Sequence, residues 1–154
     1  MSRLWTFSKE VNDAFAGAKD LDVSSAAHLD EDLTRSPSNL TARLTLLAYS
    51  RTASDLDALQ IRLRQLLWFA SNQPKHEVLA GPFASPDPRV AAGTDEYKQI
   101  RQVWLKHLAD EPKDPGLLNH SSNFLRLSDP ATVESALQSG IDEADKAAVF
   151  QGDL

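Results

Sequence analysis

The histidines and the acidic residues near them are the first candidates for metal binding or acid–base chemistry. His28 is followed at positions 30–32 by three acidic residues. On a helix these side chains spread around most of a turn, so they do not converge on one ion. His76 and Glu77 begin like the zinc-binding motif His-Glu-x-x-His, but its fifth position is not a second histidine. Neither group therefore predicts a metal site.

Two further histidines, His107 and His120, fall on neighbouring predicted helices. No carboxylate is placed beside either of them to complete a metal or acid–base site. Ser121 and Ser122 follow His120, but neighbouring residues on a helix diverge by about 100°, so they do not form a nucleophile–base pair. The chain has no Gly-x-Ser-x-Gly sequence and no glycine-rich phosphate loop. We therefore expect no catalytic residue, no metal and no cofactor.

The composition bounds the class of protein. With 154 residues, 42% of them hydrophobic and 25% charged, the chain suits a single globular domain, 1–154, with its own core. Its net charge of −6 repels phosphate groups, so we expect neither a nucleic acid nor a membrane as partner. The absence of cysteine excludes disulfides and thiolate-bound metals. With no signal-peptide block and no apolar span of membrane length, the sequence predicts a cytoplasmic protein.

The most apolar stretch, residues 66–70, indicates how the core is built. Five consecutive apolar residues fit either a buried strand or a helix that is covered on more than one side. Apolar residues at steps of three and four predict a helix that is capped by Ser54 and ended by Pro74. Ile61 and Trp68 add a second stripe, so we expect two neighbours with Trp68 buried between them. The main stripe consists of Leu56, Leu59, Leu63, Leu66, Leu67 and Ala70.

Further helices are predicted by the same periodicity and by capping residues. The segment 1–20 is an amphipathic helix, with Leu4, Phe7, Val11 and Phe15 on one face and Trp5 beside it. The segment 80–93 contains three prolines and two glycines and is predicted to be a loop or extended connector. The remaining helices are predicted to begin near Ser25, Ser38, Thr94, Pro115 and Pro130, with a last short helix around Ile141.

Three prolines that end predicted helices, Pro37, Pro74 and Pro112, are separated by 37 and 38 residues. The residues four and eight positions before each proline are apolar or aromatic. These six ladder residues are Leu29, Leu33, Leu66, Ala70, Trp104 and Leu108. The spacing predicts helix-pair repeats over 25–140, in which each pair buries its apolar face against the next pair.

The sequences LTLLAY at 44–49 and IRQVWLKHLADEP at 100–112, with the leucine ladder before Pro74, resemble the tetratricopeptide-repeat-like family. The resemblance implies an all-α fold of about seven or eight helices, a right-handed stack of antiparallel pairs or α-solenoid. It also implies that the first helix of each pair lines a concave, peptide-binding face. The positions that match this face are Thr45, Tyr49, Thr52, Asn119, Asn123 and Arg126.

Two functions from different classes follow from these observations. The first is a protein- or peptide-binding scaffold or adaptor without catalytic activity. The alternative is a small helical enzyme or small-molecule-binding protein, with a pocket near the connector 80–93 and His107 or His120 as its acid–base residue. A homo-oligomer formed through Trp5 and Phe15 is a further hypothesis.

Overall fold

The computed structural model describes residues 7–52 and 55–139 of the chain. These residues form α-helices and short 3₁₀ helices and contain no strand, which confirms the expected all-α class. The helices are α1 (Lys9–Gly17), α2 (Val23–Asp32), α3 (Leu40–Thr52), α4 (Leu56–Asn72), α5 (Pro88–Ala91), α6 (Asp95–Asp110), α7 (Pro115–Leu125) and α8, which covers 130–139 at the end of the described part. The predicted positions of Leu4, Trp5 and the helix around Ile141 lie outside the described residues.

Side-chain caps fix where several helices begin. The side chains of four residues, Asp22, Asp55, Thr94 and Asp114, each accept a hydrogen bond from the backbone N–H three positions further on. The cap at Thr94 is the one that the sequence predicts. The expected cap at Ser54 is wrong by one residue, because Asp55 Oδ1 lies 2.7 Å from the Ala58 amide nitrogen.

The predicted starts of α2 and α3 are also displaced. Asp22 Oδ1 accepts from the Ser25 amide at 2.7 Å, so α2 begins before Ser25. Asn39, not Ser38, places its Oδ1 3.1 Å from the Ala42 amide nitrogen at the start of α3. In both regions several neighbouring residues have side chains that can cap, and the sequence alone does not choose between them.

Helix α4 occupies the centre of the described chain, because it contacts α3 and also contacts α6. Leu63, Leu66 and Phe69 are buried in the main hydrophobic core. Ile61 instead joins a smaller cluster formed with residues of α2 and α3. The apolar run 66–70 is therefore part of a helix with neighbours on more than one side, as its composition suggests.

Two residues of α4 differ from the sequence prediction. Leu56, predicted to lie in the apolar stripe, is 73% exposed and is the first residue of the helix. Trp68 is only partly buried and packs at the edge of the core, with the Arg43 guanidinium carbon 4.4 Å from its ring centroid. The enclosed aromatic residue at this turn is Phe69, which has no exposed surface.

The ladder residues before the three prolines lie on the buried side of their helices. Leu33, Leu66, Ala70 and Trp104 are buried, and Leu29 and Leu108 are partly buried against the two clusters. Helices α4 and α6 end at Asn72 and Asp110, shortly before Pro74 and Pro112. The same sequence pattern thus ends these two helices in the same way.

The connector after α4 is more regular than the predicted loop or extended segment. It contains 3₁₀ helices at Glu77–Ala80 and Pro82–Ala84, followed by the short helix α5. Val78, Leu79 and Ala84 are buried in the main core, and both 3₁₀ helices contact α7. The predicted connector thus consists of short helical turns, and buried apolar residues hold it on the protein.

The two neighbouring aromatic residues of α4 should contribute unequally to stability. Phe69→Ala removes a fully buried ring, and we expect it to lower the free energy of unfolding by about 3–5 kcal/mol. Trp68→Ala should cost less, because its ring is already partly exposed to water. Urea unfolding followed by circular dichroism measures both variants. An equal or larger loss for Trp68→Ala would show that Trp68 is enclosed after all.

Candidate functional site

The three candidate residues on α3 lie along one helix. Thr45 is half-buried, and its hydroxyl donates to the Thr41 carbonyl oxygen at 2.7 Å, so it is engaged within its own helix. Tyr49 is half-buried and lines a cavity of about 220 Å³ between α2 and the beginning of α4. Thr52 is the last residue of α3. Of this set, the structure places Tyr49 at a concave surface.

The other three candidate residues lie on α7 or, for Arg126, directly after it, and their surroundings differ. Asn119 and Arg126 are exposed. The Asn123 side-chain amide instead donates to the carbonyl oxygens of Leu79 and Gly81, both at 2.9 Å. Because both donors of this amide are used within the chain, Asn123 ties the connector to α7. The expected contact of Asn123 with a bound peptide is replaced here by an internal one.

The two histidines of the alternative hypothesis do not line the cavity beside the connector. His107 Nε2 lies 2.7 Å from the Ala70 carbonyl oxygen, and His120 Nδ1 lies 2.8 Å from the Pro74 carbonyl oxygen. His107 therefore binds the last turn of α4, and His120 binds the chain just after α4 ends. The cavity beside the connector, about 200 Å³, is lined by Asp55, Leu56, Leu59, Arg62, Pro86, Asp87 and Val90, without a histidine.

Two cavities that share Asp55 in their lining form a concave surface at the N-terminal end of α4. We call it the Asp55 surface, and it comprises the cavity beside the connector and the one that contains Tyr49. The second cavity is lined by Val23, Ala27, Asp30, Tyr49, Asp55, Asp57, Ala58, Gln60, Ile61 and Arg64. Both cavities include Asp55, so they lie next to each other around the N-terminal end of α4.

The Asp55 surface exposes large apolar side chains to water. Val23 is 69% exposed, Leu56 is 73% exposed and Val90 is 62% exposed. They come from α2, α4 and α5, which are far apart in the sequence. Scattered exposed apolar residues are common on proteins, but several that border adjoining cavities indicate a binding surface.

Charged residues at the base of this surface are held by defined bonds. The Arg64 guanidinium forms an ion pair with Asp30, and Arg62 Nη2 donates to the Ser50 carbonyl oxygen at 2.9 Å. Burial lowers the pKa of Arg62, although a guanidinium stays charged at neutral pH. Asp57 is exposed, and its side chain forms no hydrogen bond or ion pair with residues 7–52 and 55–139. The edge of the Asp55 surface therefore presents an exposed carboxylate next to apolar side chains.

A buried polar network lies next to the part of the Asp55 surface that contains Asp30 and Arg64. Arg43 donates to the Pro37 carbonyl oxygen at 2.8 Å and to Gln65 Oε1 at 2.9 Å. Gln65 is buried, and its Nε2 lies 3.4 Å from Asp30 Oδ1. Burial lowers the pKa of Arg43, and the nearby Asp30 carboxylate opposes this change. The network joins α2, α3 and α4 and fixes the wall from which Asp30 and Arg64 project.

Comparisons of the chain with protein-family models, with curated proteins and with solved structures find no match. Among the described residues, no helix is both long and apolar enough to cross a membrane. In the same part of the chain, no group of three histidine or acidic side chains is arranged to hold a metal ion. A functional proposal for this chain therefore depends on its own geometry and charge.

Substitutions of Asn123 and Asn119 provide a matched test of the hydrogen bonds that join Asn123 to the connector. Asn123→Ala removes two hydrogen bonds to the connector, and we expect it to lower the free energy of unfolding by about 1–3 kcal/mol. Asn119→Ala changes an exposed side chain on the same helix and should stay within about 0.5 kcal/mol of the unsubstituted protein. Urea unfolding measures the difference. Equal stabilities for the two variants would show that the Asn123 hydrogen bonds do not stabilise the protein.

Proposed function

We propose that this chain is a protein- or peptide-binding module, a scaffold or adaptor without catalytic activity, and that it binds its partner at the Asp55 surface. The observation that carries this proposal is the exposure of Val23, Leu56 and Val90 around two adjoining cavities. Covering such side chains on association removes apolar area from water, at about 25 cal/mol for each Å². A binding partner is the simplest reason for keeping them at one place.

The size of the cavities favours side chains of a partner over a free small molecule. Pockets for small molecules usually enclose about 300–1,000 Å³. The two cavities of the Asp55 surface measure about 220 and 200 Å³ and lie side by side. Each suits one side chain of a bound segment, whose backbone would cross the ridge at Asp55. A peptide or a protein loop fits this arrangement better than a compact metabolite.

The charges favour a partner that carries lysine or arginine beside its apolar residues. The exposed Asp57 carboxylate lines this surface and has no ion-pair partner among the described residues, and the whole chain has a net charge of −6. A cationic side chain placed next to Asp57 would gain from this field and would associate faster. An acidic segment would meet repulsion at the same place. The partner is therefore an apolar and basic segment.

The tetratricopeptide-like arrangement is part of this proposal. Its support is the position of α4 between α3 and α6 and the burial of ladder residues such as Leu66 and Trp104. Tyr49 lines a cavity of the Asp55 surface, and Thr45, four positions before it on α3, lies on the same side of the helix. The exposed residues of α7 would then meet a more distant part of the partner.

The proposed compartment is the cytoplasm, because a chain without cysteine needs no oxidising environment to reach its fold. The N-terminal helix face with Phe15 is a separate candidate for self-association. Helix α1 packs on α3, and Phe15 is partly buried against the main core, so much of this face is already used within the chain.

Selection from a random peptide library on the immobilised full-length protein tests the proposed function. We expect the selected peptides to combine apolar residues with lysine or arginine. Leu56→Asp and Val90→Asp should each weaken the binding of such a peptide by about tenfold or more, equivalent to about 1.4 kcal/mol. Fluorescence anisotropy of a labelled selected peptide measures the dissociation constants.

The matched control is Leu127→Asp, which changes a leucine that is 54% exposed and lines neither cavity. This variant should bind the selected peptides as the unsubstituted protein does. Aspartate at position 56 also suits the first turn of α4, so the fold should persist, and circular dichroism checks this. Equal loss of binding in all three variants, or a predominance of acidic selected peptides, would refute the proposed surface or its charge preference.

A further inference from the structure

Three histidines from different parts of the sequence meet at the C-terminal end of α4. The last carbonyl groups of a helix lack partners within the helix. His107 of α6 binds the Ala70 carbonyl oxygen, and His120 of α7 binds the Pro74 carbonyl oxygen. His76, directly after the helix, places Nδ1 3.1 Å from the Val78 amide nitrogen. These bonds join α4, α6, α7 and the connector.

The three hydrogen bonds respond differently to protonation. A carbonyl oxygen only accepts, so His107 Nε2 and His120 Nδ1 must each carry a hydrogen. Adding a second proton to either ring leaves that N–H in place. The Val78 amide only donates, so His76 Nδ1 must be unprotonated. Acid therefore removes the acceptor of the His76 bond and keeps the donors of the other two.

The His76 bond lies where the connector enters the core. Val78 is fully buried and Leu79 is 2% exposed. The His76 ring packs on the Phe69 ring, with their centroids 5.1 Å apart. When Nδ1 is protonated, two N–H groups face each other, and the Val78 amide loses its partner in a buried place. The ring must then turn away, and the turn that starts the connector loses its cap.

We propose that His76 is an acid-sensitive latch, whose protonation loosens residues 77–84 from the end of α4 while His107 and His120 keep that end bound to α6 and α7. This inference concerns the free protein and does not rest on the proposed binding function. The half-buried position of His76 leaves its ring open to protons from solvent.

The groups around His76 set the pH range of the latch. Burial lowers the pKa of His76, and His120 of α7 acts in the same direction. Glu77 beside it and Glu10 of α1 oppose this change. Bonds from Ser8 lower the pKa of Glu77, so its carboxylate stays ionised while His76 titrates. Burial is the largest of these effects, so the pKa of His76 lies below its ordinary value of 6.5.

The sign of the pH effect follows from this lowered pKa. A released or unfolded His76 binds a proton more tightly than the latched residue does. The stabilisation that the His76 bond gives is therefore complete above pH 6.5, the ordinary pKa of histidine. It is lost as the pH falls toward the lowered pKa of His76. Because opening takes up one proton, the open population should rise by up to about tenfold for each pH unit within this range.

Nuclear magnetic resonance of the full chain tests the latch. At about pH 7.5, long-range ¹H–¹⁵N spectra should show His76 protonated only on Nε2 and His120 carrying a hydrogen on Nδ1. On acidification, hydrogen exchange at the Val78 amide, corrected for its intrinsic pH dependence, should accelerate in step with the His76 titration. Amides in the middle of α4 and α6 should keep their protection over the same range.

Two variants complete the experiment. His76→Asn supplies an oxygen that accepts from the Val78 amide at every pH, so the protection of Val78 should no longer depend on pH. His28→Asn changes an exposed histidine of α2 and should leave the pH dependence as it is. Three results would overturn the latch: His76 with a hydrogen on Nδ1 at neutral pH, unchanged Val78 exchange on acidification, or simultaneous loss of protection throughout the protein.

Discussion

The burial of α4 against two neighbours is the constraint on which the rest of the structure depends. This helix of 17 residues contacts both α3 and α6, and Leu63, Leu66 and Phe69 place its side chains in the main core. The first backbone N–H groups and the last carbonyl groups of such a helix have no partner within the helix itself. The groups at those ends therefore need partners from the protein, and these partners determine much of what surrounds the helix.

The two ends of α4 differ in their bonding partners and in their exposure to solvent. At the C-terminal end, His107 and His120 occupy carbonyl groups and bind this end to the following helices. At the N-terminal end, Asp55 caps the helix by a local bond, and Leu56 is largely exposed. One end is thus fixed by contacts that are distant in the sequence, whereas the other presents apolar side chains to solvent. The proposed binding surface and the proposed latch are consequences of this asymmetry.

The sequence predicts the helices well because the apolar periodicity and the capping residues that define a helix are local features. Apolar residues at steps of three and four identify α4 and α6, and Thr94 caps α6 as predicted. The exposure of Leu56 depends on how far the neighbouring helices extend, which periodicity does not contain. The bonds of His107 and Asn123 join residues about forty positions apart, so no local pattern reveals them. The family resemblance suggested Tyr49 as a surface residue, but not its cavity with Asp57.

The length of the connector also has a physical reason. It leaves the C-terminal end of α4 at His76, and its far part, with Pro86 and Val90, shares a cavity with Leu56 at the N-terminal end. The connector must therefore be long enough to run back along α4, which rises about 1.5 Å per residue. An extended strand over this path would leave its backbone groups without partners. Short 3₁₀ and α-helical turns satisfy these groups locally, so the same segment joins the histidine cluster to the Asp55 surface.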